Sequence, residues 1–279
     1  MKFSCIISTL GTRYRACTVI DIMLTASPHY DIIGDVHGCL PELEALLAQL
    51  GYQLEQEAGH TVVTAPPEGR MAVFLGDLVD RGPDTPGVLR LVMQMCDRGL
   101  AICVPGNHDM KFLRMLKGND VQVTNGLAQS KAQMEETDSD FREAVIAFLE
   151  RLTHSHYLLD EGRLVVAHAG LREELHGDTS AETRHLCLYG ETNGEKDESG
   201  FPVRLDWAAA YSGRALVVYG HTPVPEALWR NNTIDIDTGC VYGGSLTALR
   251  YPECILVSVP ARAQYAVSRR IPTALHTDI

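Results

Sequence analysis

From Tyr30 onward the chain sets short apolar runs against glycine-bearing polar turns and then amphipathic stretches. Tyr30–Gly34, Met71–Leu75 and Leu100–Val104 are runs of this kind. Their brevity and flanking turn residues predict strands buried on both faces. Each is followed by a helical period. Over Pro41–Leu50 the leucines at 43, 46, 47 and 50 share one face, and from Thr85 the same holds for Val88, Leu89, Val92 and Met93. Thr85 and Pro86 are expected as N-cap and first helical residue of that second helix. The third helix is Met110–Leu116.

Three strand–turn–helix units in succession predict parallel strands joined by right-handed crossovers. Their polar turns should then collect at the carboxyl ends of the strands, where open α/β sheets bind ligands.

Further along, His60–Ala65 reads as an outlying strand ended by Pro66-Pro67. Lys117–Asp140 is polar without a clean period and is expected to be a loop or lid. Phe141–Leu152 is an amphipathic helix. Arg163–Ala167 is a strand delivering His168, and Leu171–Pro202 an insertion over the site that includes the acidic stretch 195–198. A helix over Leu205–Tyr211 leads to strand Ala215–Tyr219, which ends at His221. Thr233–Asp237, Leu246–Tyr251 and Cys254–Val259 are expected to form a second, more antiparallel sheet. The expected organisation is one domain over 29–262, an extension over 1–28 and a tail over 263–279, edge-packed or disordered.

Charge narrows the partners. Across 279 residues the formal net charge is −12. That suits a small phosphorylated substrate or a single nucleic-acid end better than extended nucleic-acid binding, which needs many Lys and Arg on phosphates. No stretch is apolar enough to predict a membrane span. The eight cysteines form no C-x-x-C pair, which predicts free thiols and a cytoplasmic setting. Within the first 22 residues Gly11, Arg13 and Arg15 interrupt the apolar Phe3–Leu10, so no secretory core forms. Met23 offers an alternative start, with a weak transit peptide as the other reading.

The chemistry sits in five turns. They are G-D-V-H-G at 34–38, L-G-D-L-V-D-R-G-P at 75–83, G-N-H-D at 106–109, the run holding His168 and the run holding His221. Any one of them alone could be a conformational turn. Together they supply Asp35, His37, Asp77, Asn107, His168 and His221, a ligand set for two divalent cations sharing the Asp77 carboxylate. Carboxylate with imidazole suits manganese, iron, nickel or zinc better than calcium, and manganese is the expected metal. Such a pair lowers the pKa of shared water, and the resulting hydroxide would attack phosphorus in line. Arg81 is expected to clamp phosphoryl oxygens with its planar fork. His108 is expected to protonate the leaving oxygen, with Asp109 holding its ring. Asp237, in D-I-D-T-G-C, reads either as a partner of a metal-bound histidine or as a turn residue. His154 and His156 are expected in a solvated cap, and His60, His176, His185 and His276 on the surface.

These motifs resemble those of the calcineurin-like metallophosphoesterases, in the phosphoprotein-phosphatase-like branch. P-P-E-G-R at 66–70, V-P-G-N-H-D at 104–109, L-Y-G-E-T-N-G-E at 188–195, V-V-Y-G-H-T-P-V at 217–224 and I-D-T-G-C-V-Y-G-G at 236–244 narrow the likeness. They are similar to the phosphatase domain of bacterial polynucleotide kinase-phosphatases and to diadenosine tetraphosphate hydrolases of the PrpE type. The resemblance implies an α/β fold, a β-sandwich of two mixed sheets flanked by helices, with a dinuclear metal site at the strand carboxyl ends. It implies hydrolysis of nucleotide-type phosphoesters or phosphoanhydrides, such as 2′,3′-phosphate ends or diadenosine tetraphosphate. It also makes Asp237 a functional position. Ser/Thr phosphoprotein phosphatases are the alternative, together with a non-catalytic metal- or phosphate-binding module. Pro105 before Gly106, Asp109 in place of Glu, and Ala169-Gly170 after His168 depart from the protein-phosphatase pattern.

Overall fold

The computed structural model describes residues 29–197, 200 and 202–267. The extension over 1–28, Glu198 of the acidic stretch, and the tail from 268 with His276 lie outside the described residues.

Two five-stranded sheets pack face to face, each with helices on its outer side. The first is ordered β14-β13-β1-β4-β5, with β1 His29–Ile33, β4 Arg70–Phe74, β5 Ala101–Cys103, β13 Ser245–Tyr251 and β14 Ile255–Pro260. The second is ordered β11-β12-β10-β7-β6, with β6 His156–Leu159, β7 Leu164–Ala167, β10 Leu216–Tyr219, β11 Leu228–Arg230 and β12 Thr233–Asp235. Within each sheet three strands run parallel: β1, β4 and β5 in one, and β7, β10 and β12 in the other.

Side-chain alternation explains the continuous apolar runs. Ile32, Val73, Leu164 and Val218 point between the sheets, while Ile33, Phe74, Val165 and Val217 point outward under the helices. Helices α1 (Leu40–Leu50), α2 (Thr85–Asp97) and α5 (Ser139–Arg151) cover the first sheet. Trp207 and Tyr211, around α7 (Trp207–Ala210), cover the second.

Several boundaries differ from expectation. Asp84, not Thr85, caps α2, accepting from Gly87 N at 2.8 Å. A carboxylate one residue earlier reaches the free N–H groups, and Pro86 tolerates the second helical position as well as the first. β13 and β14 are not in the second sheet: β13 pairs antiparallel with β1 and closes the first. The supposed loop over 117–140 contains helix α4, Leu127–Glu135. The insertion over 171–202 contains helix α6, Ala181–Tyr189, and one strand of the hairpin formed by β8 (Thr192–Lys196) with β9 (Pro202–Arg204). The outlying strand β3 (His60–Ala65) pairs with β2, Gln53–Glu57, which the pattern did not reveal. At the C-terminal end Tyr265 packs on the core and donates to Glu42 Oε1 at 2.8 Å, so the tail is ordered at least to 267.

Candidate metal and phosphate centre

Each parallel strand ends in a turn that carries a site residue. Asp35 and His37 follow β1, Asp77 follows β4, and Asn107 and His108 follow β5. His168 follows β7, His221 follows β10 and Asp237 follows β12. Six strand ends from two packed sheets therefore meet at one edge of the sandwich. His37, Asp77, Asp80, Arg81 and His221 all have φ between 45° and 75°. Non-glycine residues held in the left-handed region cost free energy and cluster where a site must aim side chains. Close approach does the rest. A Cβ on Gly106 would collide with Asp77 Oδ1, and one on Gly220 with Asp35 Oδ1.

Asp77 stands at the middle. Its Oδ2 is 3.6 Å from His37 Nε2 and its Oδ1 is 3.5 Å from His168 Nε2. The donor groups His37, Asp77 and His108 on one side, and Asp77, His168 and His221 on the other, converge closely. Asn107 Oδ1 lies 3.1 Å and His221 Nδ1 3.0 Å from His168 Nε2. Asp35 accepts from the His221 backbone N–H at 3.2 Å. Asp237 accepts from Gly239 N at 3.1 Å, so it does serve its turn, and it also faces Asp35 closely enough to perturb it.

The ring orientations fit cations. His37 Nδ1–H donates to Val79 O at 2.8 Å and His168 Nδ1–H to Leu75 O at 2.9 Å. That fixes the tautomer and leaves each Nε2 a lone pair, directed at the two sides of Asp77. Charge fits too. Burial, followed by the neighbouring carboxylates Asp237 and Asp77, raises Asp35 well above the usual range. Burial pushes Asp77 up to about 7 and Asp237 up to about 7. It also holds His37 and His221 well below their ordinary value and His168 down to about 3. Buried carboxylates crowded together beside neutral imidazoles are what divalent cations stabilise.

Arg81 donates from Nη1 to His37 Nε2 at 2.6 Å and from Nη2 to His108 Nε2 at 2.8 Å. Its guanidinium also lies over the Tyr242 ring, 5.4 Å from the centroid. His108 itself is oriented differently from expectation. Its Nδ1 donates to Asp80 Oδ2 at 2.6 Å, while Asp109 accepts from Gly106 N and Leu78 N, both at 2.9 Å. Asp109 faces back into its own turn and α3 (Asn107–Leu116), so it braces the loop rather than the ring.

The sequence reading missed three contributors. Asp80 lay in plain sight within the 75–83 motif. Arg204, on β9, makes Asp77 more acidic and His168 and His221 less basic by its charge, and donates to Thr222 Oγ1 at 3.0 Å. Helix α4 supplies Ser130, whose Oγ accepts from Asp80 N at 2.9 Å. Conversely, His156 is no solvated cap. It is buried and accepts from Gly177 N at 2.9 Å, whereas His154 is exposed.

Sandwich and centre together define a metal-dependent phosphoesterase: the chain belongs to the calcineurin-like phosphoesterases, a family that works with divalent metal ions and that residues 29–225 match. It is a hydrolase. At closer range it is 46% identical over 246 residues to bis(5'-nucleosyl)-tetraphosphatase PrpE (asymmetrical) of Bacillus subtilis strain 168, covering 87% of this chain and 99% of that one. The protein of the same description from Anoxybacillus flavithermus is 45% identical, over 87% of this chain and 98% of its own. Among solved structures, one described only as a candidate diadenosine tetraphosphatase superposes with a TM-score of 0.60 at 27% identity, covering 85% of this chain and 95% of that one. A yeast protein serine/threonine phosphatase shares the fold at 14% identity and a TM-score of 0.56. No helix among the described residues is long and apolar enough to cross a membrane.

Proposed function

We propose that this chain hydrolyses a phosphoanhydride bond of dinucleoside tetraphosphates, using two divalent cations, with manganese the favoured metal. The observation that carries the reading is Asp77, one oxygen facing His37 and the other facing His168. A single carboxylate so placed can serve two ions at once. Asp35 and His37 with Asp77 would hold one, and Asp77, Asn107, His168 and His221 the other. When bound, the pair supplies an activated water and charge neutralisation for in-line displacement at phosphorus.

The chain's own groups do the rest. Arg81 and Arg204 bring fixed positive charge to an otherwise acidic protein, which a tetraphosphate requires. The Arg81 fork matches two phosphoryl oxygens. His108 Nε2 opens on the same space as Arg81 and would give its proton to the departing phosphate oxygen. Asp80 steadies the imidazolium through Nδ1. Asp237 would act through Asp35, keeping that carboxylate turned to the centre. The substrate class rests on the relatives named tetraphosphatases, which this chain resembles over nearly their full length.

The test is a substrate panel with chelated protein, with and without added manganese. Diadenosine tetraphosphate, a 2′,3′-cyclic nucleotide, a phosphopeptide and p-nitrophenyl phosphate cover the alternatives. Manganese-dependent release of a nucleoside mono- and triphosphate from the first is expected to dominate. Equal turnover with and without chelator would overturn the metal mechanism, and preference for the phosphopeptide would overturn the substrate.

A further inference from the structure

We infer that Cys39, Glu42 and Cys240 form a second cation site, distinct from the catalytic centre and suited to a thiophilic divalent ion such as Zn2+. Cys39 ends the turn that carries His37, Glu42 lies in the first turn of α1, and Cys240 follows the Asp237 turn. One donor atom from each lies within 4.8 Å of the other two. All three side chains are buried, with residue exposures of 0%, 0% and 2%.

Glu42 is the telling member. Its Oε1 accepts from Arg262 N and Tyr265 OH, both at 2.8 Å, while its Oε2 is buried with no hydrogen-bond partner. A carboxylate oxygen withdrawn from water and left unpaired is costly, and a cation relieves that cost. Two thiols beside it set the kind of cation. Sulfur with one carboxylate selects zinc over manganese or magnesium, and each thiol gives its proton to solvent on binding. Neither donor cluster at the catalytic centre contains sulfur, so the two sites differ in ligand chemistry and can be loaded apart. A cation here would pin the His37 turn to the Asp237 turn across some 200 residues of sequence, and both turns feed the catalytic centre.

Cadmium is the probe, because a thiolate–cadmium bond has its own ultraviolet charge-transfer band. The full-length protein, reduced and presaturated with manganese, is titrated with Cd2+ beside Cys39→Ser, Cys240→Ser, Cys187→Ser and Glu42→Gln. Wild type and Cys187→Ser should show the band rising to one cadmium per chain. Cys39→Ser and Cys240→Ser should lose it, and Glu42→Gln should saturate only at higher Cd2+. If circular dichroism shows a serine variant unfolded, the alanine variant at that position is read instead. A wild type without the band, or a band that survives both cysteine substitutions, overturns the site. So does a Cys39–Cys240 disulfide in the peptide map of protein purified without reductant, and wild-type saturation in Glu42→Gln removes Glu42 from it.

Discussion

His108 Nδ1 lies 2.6 Å from Asp80 Oδ2, and the Asp80 side chain has no exposed surface. Burial pushes Asp80 up to about 6, while burial and the nearby Arg81 charge hold His108 well below its ordinary value. A buried carboxylate in line with an imidazole fixes its tautomer and stabilises its protonated form. Asp109, the neighbour in sequence, makes no such contact.

That geometry separates two aspartates that look alike in the chain. Asp80→Asn should lower kcat on the order of 10²–10³-fold with metal retained, since only the ring's charge partner is lost. Asp109→Asn should act on stability first. One amide oxygen cannot accept from both Gly106 N and Leu78 N as two carboxylate oxygens do, a loss of about 1–3 kcal/mol. Thermal midpoint and saturated kcat, measured side by side, check the split. Equal effects in both variants would refute it.

Arg81 yields a different pattern. Its Nη atoms donate to His37 Nε2 and His108 Nε2, so without metal the guanidinium covers a lone pair that a cation would use. Arg81→Gln should therefore bind the first manganese ion more tightly, yet turn over on the order of 10²-fold more slowly for want of the phosphate fork. Calorimetric titration and steady-state kinetics on the same preparation test this. Weaker manganese binding would contradict it.

Much of this was legible in the chain. Strand–turn–helix repeats marked the three parallel strands of the first sheet. Polar residues following apolar runs marked Asp35, His37, Asp77, Asn107, His168 and His221, which the fold brings to one edge after strands β1, β4, β5, β7 and β10. What escaped depended on tertiary context. Asp80 and Arg81 adopt left-handed φ values of 75° and 71°, and that is what swings Asp80 beneath His108. No residue spacing encodes it. Helix α4 escaped because its buried face is Leu127, Ser130 and Met134. A serine in the stripe breaks the apolar period, and it is buried because it takes the Asp80 amide. β13 and β14 carry no clean alternation, with burial patterns that run together rather than switching face by face, so nothing in their residues says which sheet they join.

Helix α4 thus reads as a clamp on the Arg81 loop. Gln133 Nε2 donates to Gly82 O at 3.1 Å and to Pro83 O at 2.8 Å, its Oε1 accepts from Thr85 N at 3.0 Å, and Gln129 Nε2 donates to Gly82 O at 2.9 Å. Gln133→Ala leaves Pro83 O and Thr85 N to find water, while Gly82 O keeps Gln129. Expected is a loss of about 1–2 kcal/mol in stability and a raised KM, because the loop that aims Arg81 loosens. A KM unchanged from wild type would show that the loop holds itself.

Buried acids and bases give the centre an opposite pH response with and without metal. Above pH 6.5 the unfolded chain has its aspartates ionised and its histidines more than half neutral, so the protons still to be lost are chiefly those of the folded state. Burial pushes Asp77 and Asp237 up to about 7 and Asp109 up to about 8. Between pH 6.5 and 8.5 the folded, metal-free protein therefore binds more protons than the unfolded chain. Stability must fall as pH rises through that window. Below pH 6.5 the sign is contested, since His37, His108, His168 and His221 resist the protons that the unfolded chain accepts. Divalent cations bind the deprotonated carboxylates and replace those protons, so they should stabilise more as pH rises. Thermal midpoints across pH 6.5–8.5 should drop in chelator and stay level or climb in excess manganese. Parallel curves in the two conditions would mean that the metal does not engage these carboxylates.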